Sequence, residues 1–332
     1  MSIQQAQRKE TLGERIAAVS RRDFVQSYAG HLLPESRGTW LDPDAFQASV
    51  IQNDGTGPAT VEFTLAGPTR LFAKLYMDDS GAHAYDVLQN LWHGGFDGKQ
   101  SYQVPEPLCF VDEYQLLLMR EARGETLASH LGQDGKAAHG VRQAARWLRQ
   151  LHSSPVRVGK VDQPWYMFLK LSDRLAKAAA SHPQELKRLT AMLVQLGELA
   201  ERREAGEVVQ GHGQFRPIHV FLCGETVTVI DVDRSAPSDP AKDLAEFVHR
   251  LRTTLRRNSG SMAHANRLTD AFLDEYAAQQ PARLGTFSFY RGFHVLVSLC
   301  RHMKQLQADD PAWPPVIDFY VGEFEEAMSG RH

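Results

Sequence analysis

The sequence predicts an α+β fold of two lobes, a small one on an antiparallel sheet and a larger, mainly helical one. Three observations predict it. Between Ala48 and Met119, short apolar and β-branched runs alternate with turns rich in Gly, Pro, Asn and Asp. Beyond the Gly124 turn the apolar spacing lengthens to three and four residues, as in Val141, Ala145, Leu148 and Leu151. A chain of 332 residues is also long enough for two sizeable cores. The expected division is 1–119 for the first lobe and 120–332 for the second.

Composition narrows the function classes. Hydrophobic residues make up 42%, charged residues 23%, and the net charge is -3. No global basic field points to nucleic acid. The N-terminal stretch lacks a signal-type apolar core, and no run reaches membrane-spanning length, so no membrane partner is expected. Cys109, Cys223 and Cys300 are scattered and odd in number, which suggests reduced thiols and a cytoplasmic location.

In chain order, Thr11–Tyr28 reads as one helix, with Leu12, Ile16, Val19, Phe24 and Val25 near one face. Leu33–Asp44 is irregular around Trp40. Strands follow at Ala48–Gln52, Thr60–Leu65 and, past Gly67–Pro68, Arg70–Tyr76. Two readings fit the loop Asn53–Pro58: an ordinary hairpin turn, or a loop whose amides face a triphosphate. Lys74 is a lone cation in an apolar strand, where it must reach a partner or snorkel to water. A helix spans His83–Trp92, then strands Leu108–Val111 and Gln115–Met119 lead to the Gly124 turn. Helices are expected at Val141–His152, Leu169–Ala180, Pro183–Ala205, Ala241–Arg257, Leu268–Ala278, Phe287–Leu306 and Pro314–Met328. Leu186, Leu189, Leu193, Leu196 and Leu199 form a helical stripe, mostly core. Trp165, Tyr166 and Phe168 form an aromatic cluster, read either as packing or as a pocket wall. Arg250, Arg252, Arg256 and Arg257 close one helix, where cations favour the helix dipole.

The most informative stretch is Val208–Phe247, VVQGHGQFRPIHVFLCGETVTVIDVDRSAPSDPAKDLAEF. Val227–Val232 is a β-branched strand that ends on Asp231-Val232-Asp233, two carboxylates suited to a divalent cation. The stretch resembles the catalytic loop of the aminoglycoside phosphotransferase and choline kinase-like superfamily, HGDxxxxN followed by a strand ending IDF or IDL. SDPAKDLAEF resembles that family's GDPxxDLA helix start. Gln214 stands where the catalytic Asp belongs, and His219 where the Asn belongs.

That resemblance implies a protein kinase-like bilobal fold, ATP and Mg²⁺ as cofactors, and a hydroxylated small molecule as acceptor. Lys74 would grip the α- and β-phosphates. Its usual glutamate partner falls at Ala84, with His83 and Asp86 as nearby polar candidates. Leu117–Gly124 resembles the interlobe hinge, with Met119 behind the purine and backbone contacts from Arg120 and Ala122; a strand leaving through a Gly turn fits the same residues. Asp231 would hold the metal, with His219 or Asp233 as second ligand. Asp243 resembles a carboxylate that pins the catalytic-loop backbone. Gln214 cannot take a proton but can orient a hydroxyl, and His212 is read as a loop brace or, less readily, as the base. The expected activity is phosphoryl transfer to a small-molecule hydroxyl; the alternative is a pseudokinase that binds without turnover. Nucleotidyl transfer is a weaker third reading. The acceptor is not named by the sequence.

Overall fold

The structure is a computed structural model that describes residues 11–29, 46–53, 57–65, 70–202, 206–259, 261–280 and 284–330. The expected irregular segment Leu33–Asp44, the tip of the Asn53–Pro58 loop and the Gly67–Pro68 turn lie outside the described residues. The chain forms two compact units: Met1–Arg123 with Thr228–Asp233, and Gly124–Val227 with Arg234–His332.

The first unit opens with α1 (Leu12–Val19) and α2 (Arg22–Ala29), two helices where the periodicity suggested one. Thr11 and Glu14 form a reciprocal capping box at the start of α1. The break follows from Ser20, whose amide and hydroxyl both close on the Ile16 carbonyl. The expected apolar face survives, because Ile16, Val19, Phe24 and Val25 all enter one core.

That core covers one face of a five-stranded antiparallel sheet. Its strands are β1 (Gln47–Gln52), β2 (Ala59–Thr64), β3 (Arg70–Leu75), β5 (Pro107–Val111) and β6 (Leu116–Arg120), in the order β1-β2-β3-β6-β5. Along β3 the period of two sends Leu71, Ala73 and Leu75 into the core and leaves Phe72 and Lys74 on the other face. Helix α3 (Ser80–His93) packs on β5 and β6 through its buried face of Ala84, Val87, Leu88 and Leu91; the two-residue β4 (Tyr102–Gln103) follows it. The sheet carries the first unit past Met119 to Arg120, and the division falls between Arg123 and Gly124.

The second unit is mostly helical. It begins with β7 (Glu125–Thr126), α4 (Leu127–His130), α5 (Asp134–Ser153), α6 (Pro164–Ala179) and α7 (Leu186–Arg202). Gly124 precedes β7 with φ +100°, and a Cβ there would meet the Leu222 carbonyl oxygen at 2.1 Å, so only glycine fits. The chain continues through β8 (Val209–Gly211) and β9 (Val220–Cys223), and β10 (Thr226–Val229) carries it into the first unit. It returns as β11 (Ala236–Ser238), antiparallel to β8. Helices α8 (Ala241–Ser259), α9 (Met262–Ala277), α10 (Phe287–Gln305) and α11 (Trp313–Met328) complete the unit, with α5 against α9 and α10 against α6, α8 and α11.

Three helix readings change. The aromatic cluster lies in the first turn of α6, since Pro164 starts the helix there; Trp165 and Tyr166 are exposed, so they are not core. The buried stripe of α7 is Leu189, Met192 and Leu196, while Leu186 is exposed. Arg252 does not simply face the dipole of α8. It is buried and bonds Glu323 at 2.6 and 2.7 Å and Glu326 at 2.6 Å on α11.

Candidate active site

The first unit brings Lys74 onto two carboxylates. Its Nζ lies 2.7 Å from Asp231 Oδ1 and 2.6 Å from Asp233 Oδ2, and its side chain is 14% exposed. Burial alone would lower the ammonium's pKa, but Asp233 and Asp231 outweigh it and hold the value above the ordinary lysine range. The strand ends earlier than its β-branched pattern predicted: β10 stops at Val229, and Asp231 takes φ +67°. Left-handed backbone at a non-glycine residue is strained, and such strain persists only where the surroundings enforce it. Here the kink comes with both aspartates converging on one ammonium.

Tyr76 joins this group and was missed by sequence reasoning. It is fully buried, its hydroxyl donates to Asp233 Oδ1 at 3.0 Å, and the Lys74 ammonium lies 5.6 Å from its ring centroid. Desolvation, reinforced by Asp233, pushes its phenol well above the usual range. The available signal was its position two residues after Lys74, on the same side of an extended segment. The helical partners considered for Lys74 are not its ion-pair partners. Ala84 is buried apolar packing, and Asp86 is exposed and accepts from Asn90.

The hinge candidates sit at the end of β6. Met119 is half-buried and pairs with Phe72 and Pro107 across the sheet. The Arg120 amide donates to the Glu106 carbonyl at 3.0 Å, and its guanidinium pairs with the Glu106 carboxylate. Ala122 is half-buried beyond the strand.

In the second unit the loop His212–His219 is fixed from below by Asp243, in the first turn of α8. Asp243 Oδ2 accepts the His212 amide at 2.6 Å and Oδ1 the Gly213 amide at 2.8 Å; His152 Nε2 lies 3.2 Å from Oδ2. Burial raises this carboxyl's pKa, but the His152 hydrogen bond and the charges of His152, His212 and Lys242 win and hold it at about 2. His152 in turn meets the Tyr276 hydroxyl at 2.7 Å. Gly213 has φ +80°, and a Cβ would sit 2.0 Å from the Arg234 carbonyl oxygen. An aromatic stack runs beneath: Phe215 lies between Trp147 at 5.8 Å and Phe247 at 5.1 Å, and Phe247 meets Phe272 at 4.1 Å.

Within the loop, His212 is fully buried and its Nδ1 accepts the Gln214 amide at 3.3 Å. His219 Nδ1 donates to the Gln214 carbonyl at 3.0 Å. Gln214 itself is half-buried.

Asp231 and Asp233 supply hard oxygen donors of the type Mg²⁺ uses, one or two carboxylates being enough when phosphates supply the rest. In this structure both carboxylates face the Lys74 ammonium. Among the described residues no group of three or more His, Cys, Asp or Glu forms a metal cage. Two carboxylates fit a metal that takes its remaining ligands from phosphate and water.

An antiparallel sheet unit with a lysine on its third strand, joined to a helical unit with a braced HGxxxxxH loop, defines a protein kinase-like fold. The chain matches the Phosphotransferase enzyme family over residues 52–287, more than half its length, and belongs to that family. No curated protein matches it. Among solved structures it is similar to a choline/ethanolamine kinase family protein from Mesorhizobium loti, with TM-score 0.57, 14% identity, and 92% and 94% of the two chains covered. Choline kinase from Cryptosporidium parvum gives TM-score 0.60 at 11% identity, covering 91% of this chain and 96% of that one. Spectinomycin phosphotransferase, solved with ADP and spectinomycin, gives 0.57 at 12%, covering 90% and 93%. At these identities the likeness is one of fold. No helix among the described residues is long and apolar enough to cross a membrane.

Proposed function

We propose that this protein transfers the γ-phosphoryl group of ATP to a hydroxyl of a small molecule. The observation that carries the reading is Lys74, which meets Asp231, 157 residues later in the chain, and Asp233 through one ammonium. A cation that grips phosphate and carboxylates that hold its metal are the parts phosphoryl transfer asks for. Bound Mg²⁺ would supply charge neutralisation on the phosphates. The new bond joins the acceptor oxygen to phosphorus as the bond to the ADP oxygen breaks, and the hydroxyl proton leaves with solvent or on the transferred phosphate.

Gln214 orients the acceptor hydroxyl without deprotonating it, which a loose, metaphosphate-like transition state tolerates. His212 acts as a brace: its Nδ1 already accepts a backbone amide, and its ring is sealed from solvent. Met119, Arg120 and Ala122 would line the purine. The pseudokinase reading draws on Gln214, since an amide forgoes a general base contribution of about 10²–10⁴-fold, and on the further departures at His219 and Ala84.

The test is ATP turnover against a panel of hydroxylated small molecules for parent, Gln214→Asp and Asp231→Asn. Parent activity is expected, with Gln214→Asp equal or faster and Asp231→Asn inactive. Turnover that survives Asp231→Asn overturns the assignment, and a parent inactive on every acceptor favours the pseudokinase.

A further inference from the structure

Tyr76 stands one residue beyond β3, where the strand ladder has ended and its peptide groups need partners elsewhere. Both find them at long range. The Tyr76 amide donates to the Gln115 carbonyl at 2.9 Å, and the Tyr76 carbonyl accepts from Arg15 Nη1 at 2.9 Å. The same nitrogen of Arg15 also donates to the Tyr114 carbonyl at 2.9 Å. Tyr114 and Gln115 are consecutive in the connection between β5 and β6, and Gln115 takes left-handed backbone at φ +47°. Arg15 is itself anchored, because it precedes Ile16 on α1 and Ile16 lies in the core of the first unit. Tyr114 adds a second fastening through its ring, which meets Phe24 of α2 edge-on at 5.2 Å.

The side chain is held as closely as the backbone. Gly81, in the first turn of α3, leaves room for the ring: a Cβ there would lie 2.6 Å from Tyr76 Cδ2 and 3.0 Å from Phe110 Cε2. The hydroxyl donates to Asp233 Oδ1 at 3.0 Å, while Lys74 meets Oδ2 of the same carboxylate at 2.6 Å. Asp233 is thus divided, with one oxygen on a phenol and the other on an ammonium. Tyr76 is sealed from solvent, so breaking its hydrogen bond strands a donor away from water. The ammonium is the partner that a phosphate draws away. A cation that then replaces it finds Oδ2 available and Oδ1 already committed.

Building on the phosphotransferase reading, we propose that Tyr76 is a specificity-determining residue for the divalent cation, and that Arg15 is the positioning residue that sets it. By keeping Oδ1, Tyr76 leaves Asp233 one oxygen to offer. A carboxylate limited in this way suits Mg²⁺, which is small, demands octahedral geometry and takes few protein ligands. Ca²⁺ takes about six to eight oxygens and gains from a carboxylate that gives both of its own. Arg15 acts at one remove: it fixes the Tyr76 backbone, which aims the phenol, which restricts the carboxylate. The leading helix α1 thereby joins the machinery of the site without touching it.

The probes are the Mg²⁺ and Ca²⁺ complexes of AMP-PNP, each formed with the cation in excess and titrated by calorimetry into the full chain. The parent is expected to bind the Mg²⁺ complex more tightly. Tyr76→Phe should move the ratio of the two affinities about 10-fold toward Ca²⁺, the order of one hydrogen bond to a charged group. Arg15→Ala should move the same ratio in the same direction, and Arg15→Lys, which keeps donors for the two carbonyls, should restore it. In a Tyr76→Phe background Arg15→Ala should add no further shift, because Arg15 acts through Tyr76. An Arg15→Ala protein that loses stability in urea but keeps the parent ratio overturns the positioning role. A ratio unmoved by Tyr76→Phe, or a parent that favours the Ca²⁺ complex, overturns the specificity role while leaving the phosphotransferase reading intact. A parent that binds neither complex overturns both. A shifted ratio without turnover of any acceptor keeps the role of Tyr76 and sinks that reading instead.

Discussion

Asp243 and the pair Asp231–Asp233 are aspartates held in opposite ways. Asp243 is 1% exposed and is satisfied by two backbone amides and an imidazole, all fixed by the chain around it. Asp231 and Asp233 keep 23% and 18% of their side chains exposed and share the Lys74 ammonium, with the Tyr76 hydroxyl also on Asp233 and Asp231 on strained backbone. A carboxylate whose partners are peptide groups cannot exchange them without remaking the loop, so it acts as scaffold. A carboxylate held by side chains, a lysine tip among them, can exchange that cation for another at small structural cost. Acidic residues in one short stretch of sequence are thus divided between a permanent role and an exchangeable one.

The contrast is broken most strongly at Asp243. Asp243→Ala leaves the His212 and Gly213 amides and the His152 ring without their acceptor, and should cost about 3–5 kcal/mol in urea unfolding, the range for removing one partner of a buried pair. The pH dependence sharpens the point. The folded carboxyl is held at about 2 against an ordinary 3.8. The unfolded chain therefore binds the extra proton, and the stabilisation is complete above about pH 4 and lost as pH falls toward 2. Parent and Asp243→Ala stability curves should converge across that window; parallel curves would show that Asp243 is not the scaffold carboxylate. The smaller effect is Tyr76→Phe, which removes one hydrogen bond from a partly exposed carboxylate. It should cost about 1.5–3 kcal/mol, the range for a hydrogen bond to a charged group, and weaken AMP-PNP binding little, since the Lys74 ion pairs remain. A loss as large as that of Asp243→Ala would mean that the lysine group is scaffold too.

The sequence made the sheet, the helical half and the main parts of both carboxylate groups legible, because each rests on local pattern. Lys74 stood out as one cation among apolar neighbours, and the loop announced itself by spacing. What escaped lies in contacts between distant residues. The choice of Lys74 between α3 and the aspartates depends on tertiary placement, and so does the burial of Arg252 against Glu323, 71 residues away. Local competition misled in other places. The run Val227–Val232 is strand-like in composition, yet the turn at Asp231 cuts it at Val229. Ser20 splits a pattern whose apolar period runs unbroken. On α7 the leucines are evenly spaced, but packing selects Met192 and leaves Leu186 in water.

The Lys74 triad has a thermodynamic consequence. One ammonium and two carboxylates leave a net charge of -1, and the ammonium occupies both carboxylates at once. A phosphate that draws the lysine away takes its charge from the two carboxylates, and a divalent cation that takes the carboxylates removes theirs from the lysine. Either ligand alone leaves like charges facing each other, whereas together they leave none. Nucleotide and cation should therefore bind cooperatively, each raising the other's affinity by the same factor, as linkage requires. Calorimetric titration of ATP with and without Mg²⁺, and of Mg²⁺ with and without ATP, closes that cycle once the affinity of Mg²⁺ for free ATP is subtracted. Replacing Asp233 with Asn should shrink the shared factor, because a single aspartate leaves less charge to uncover.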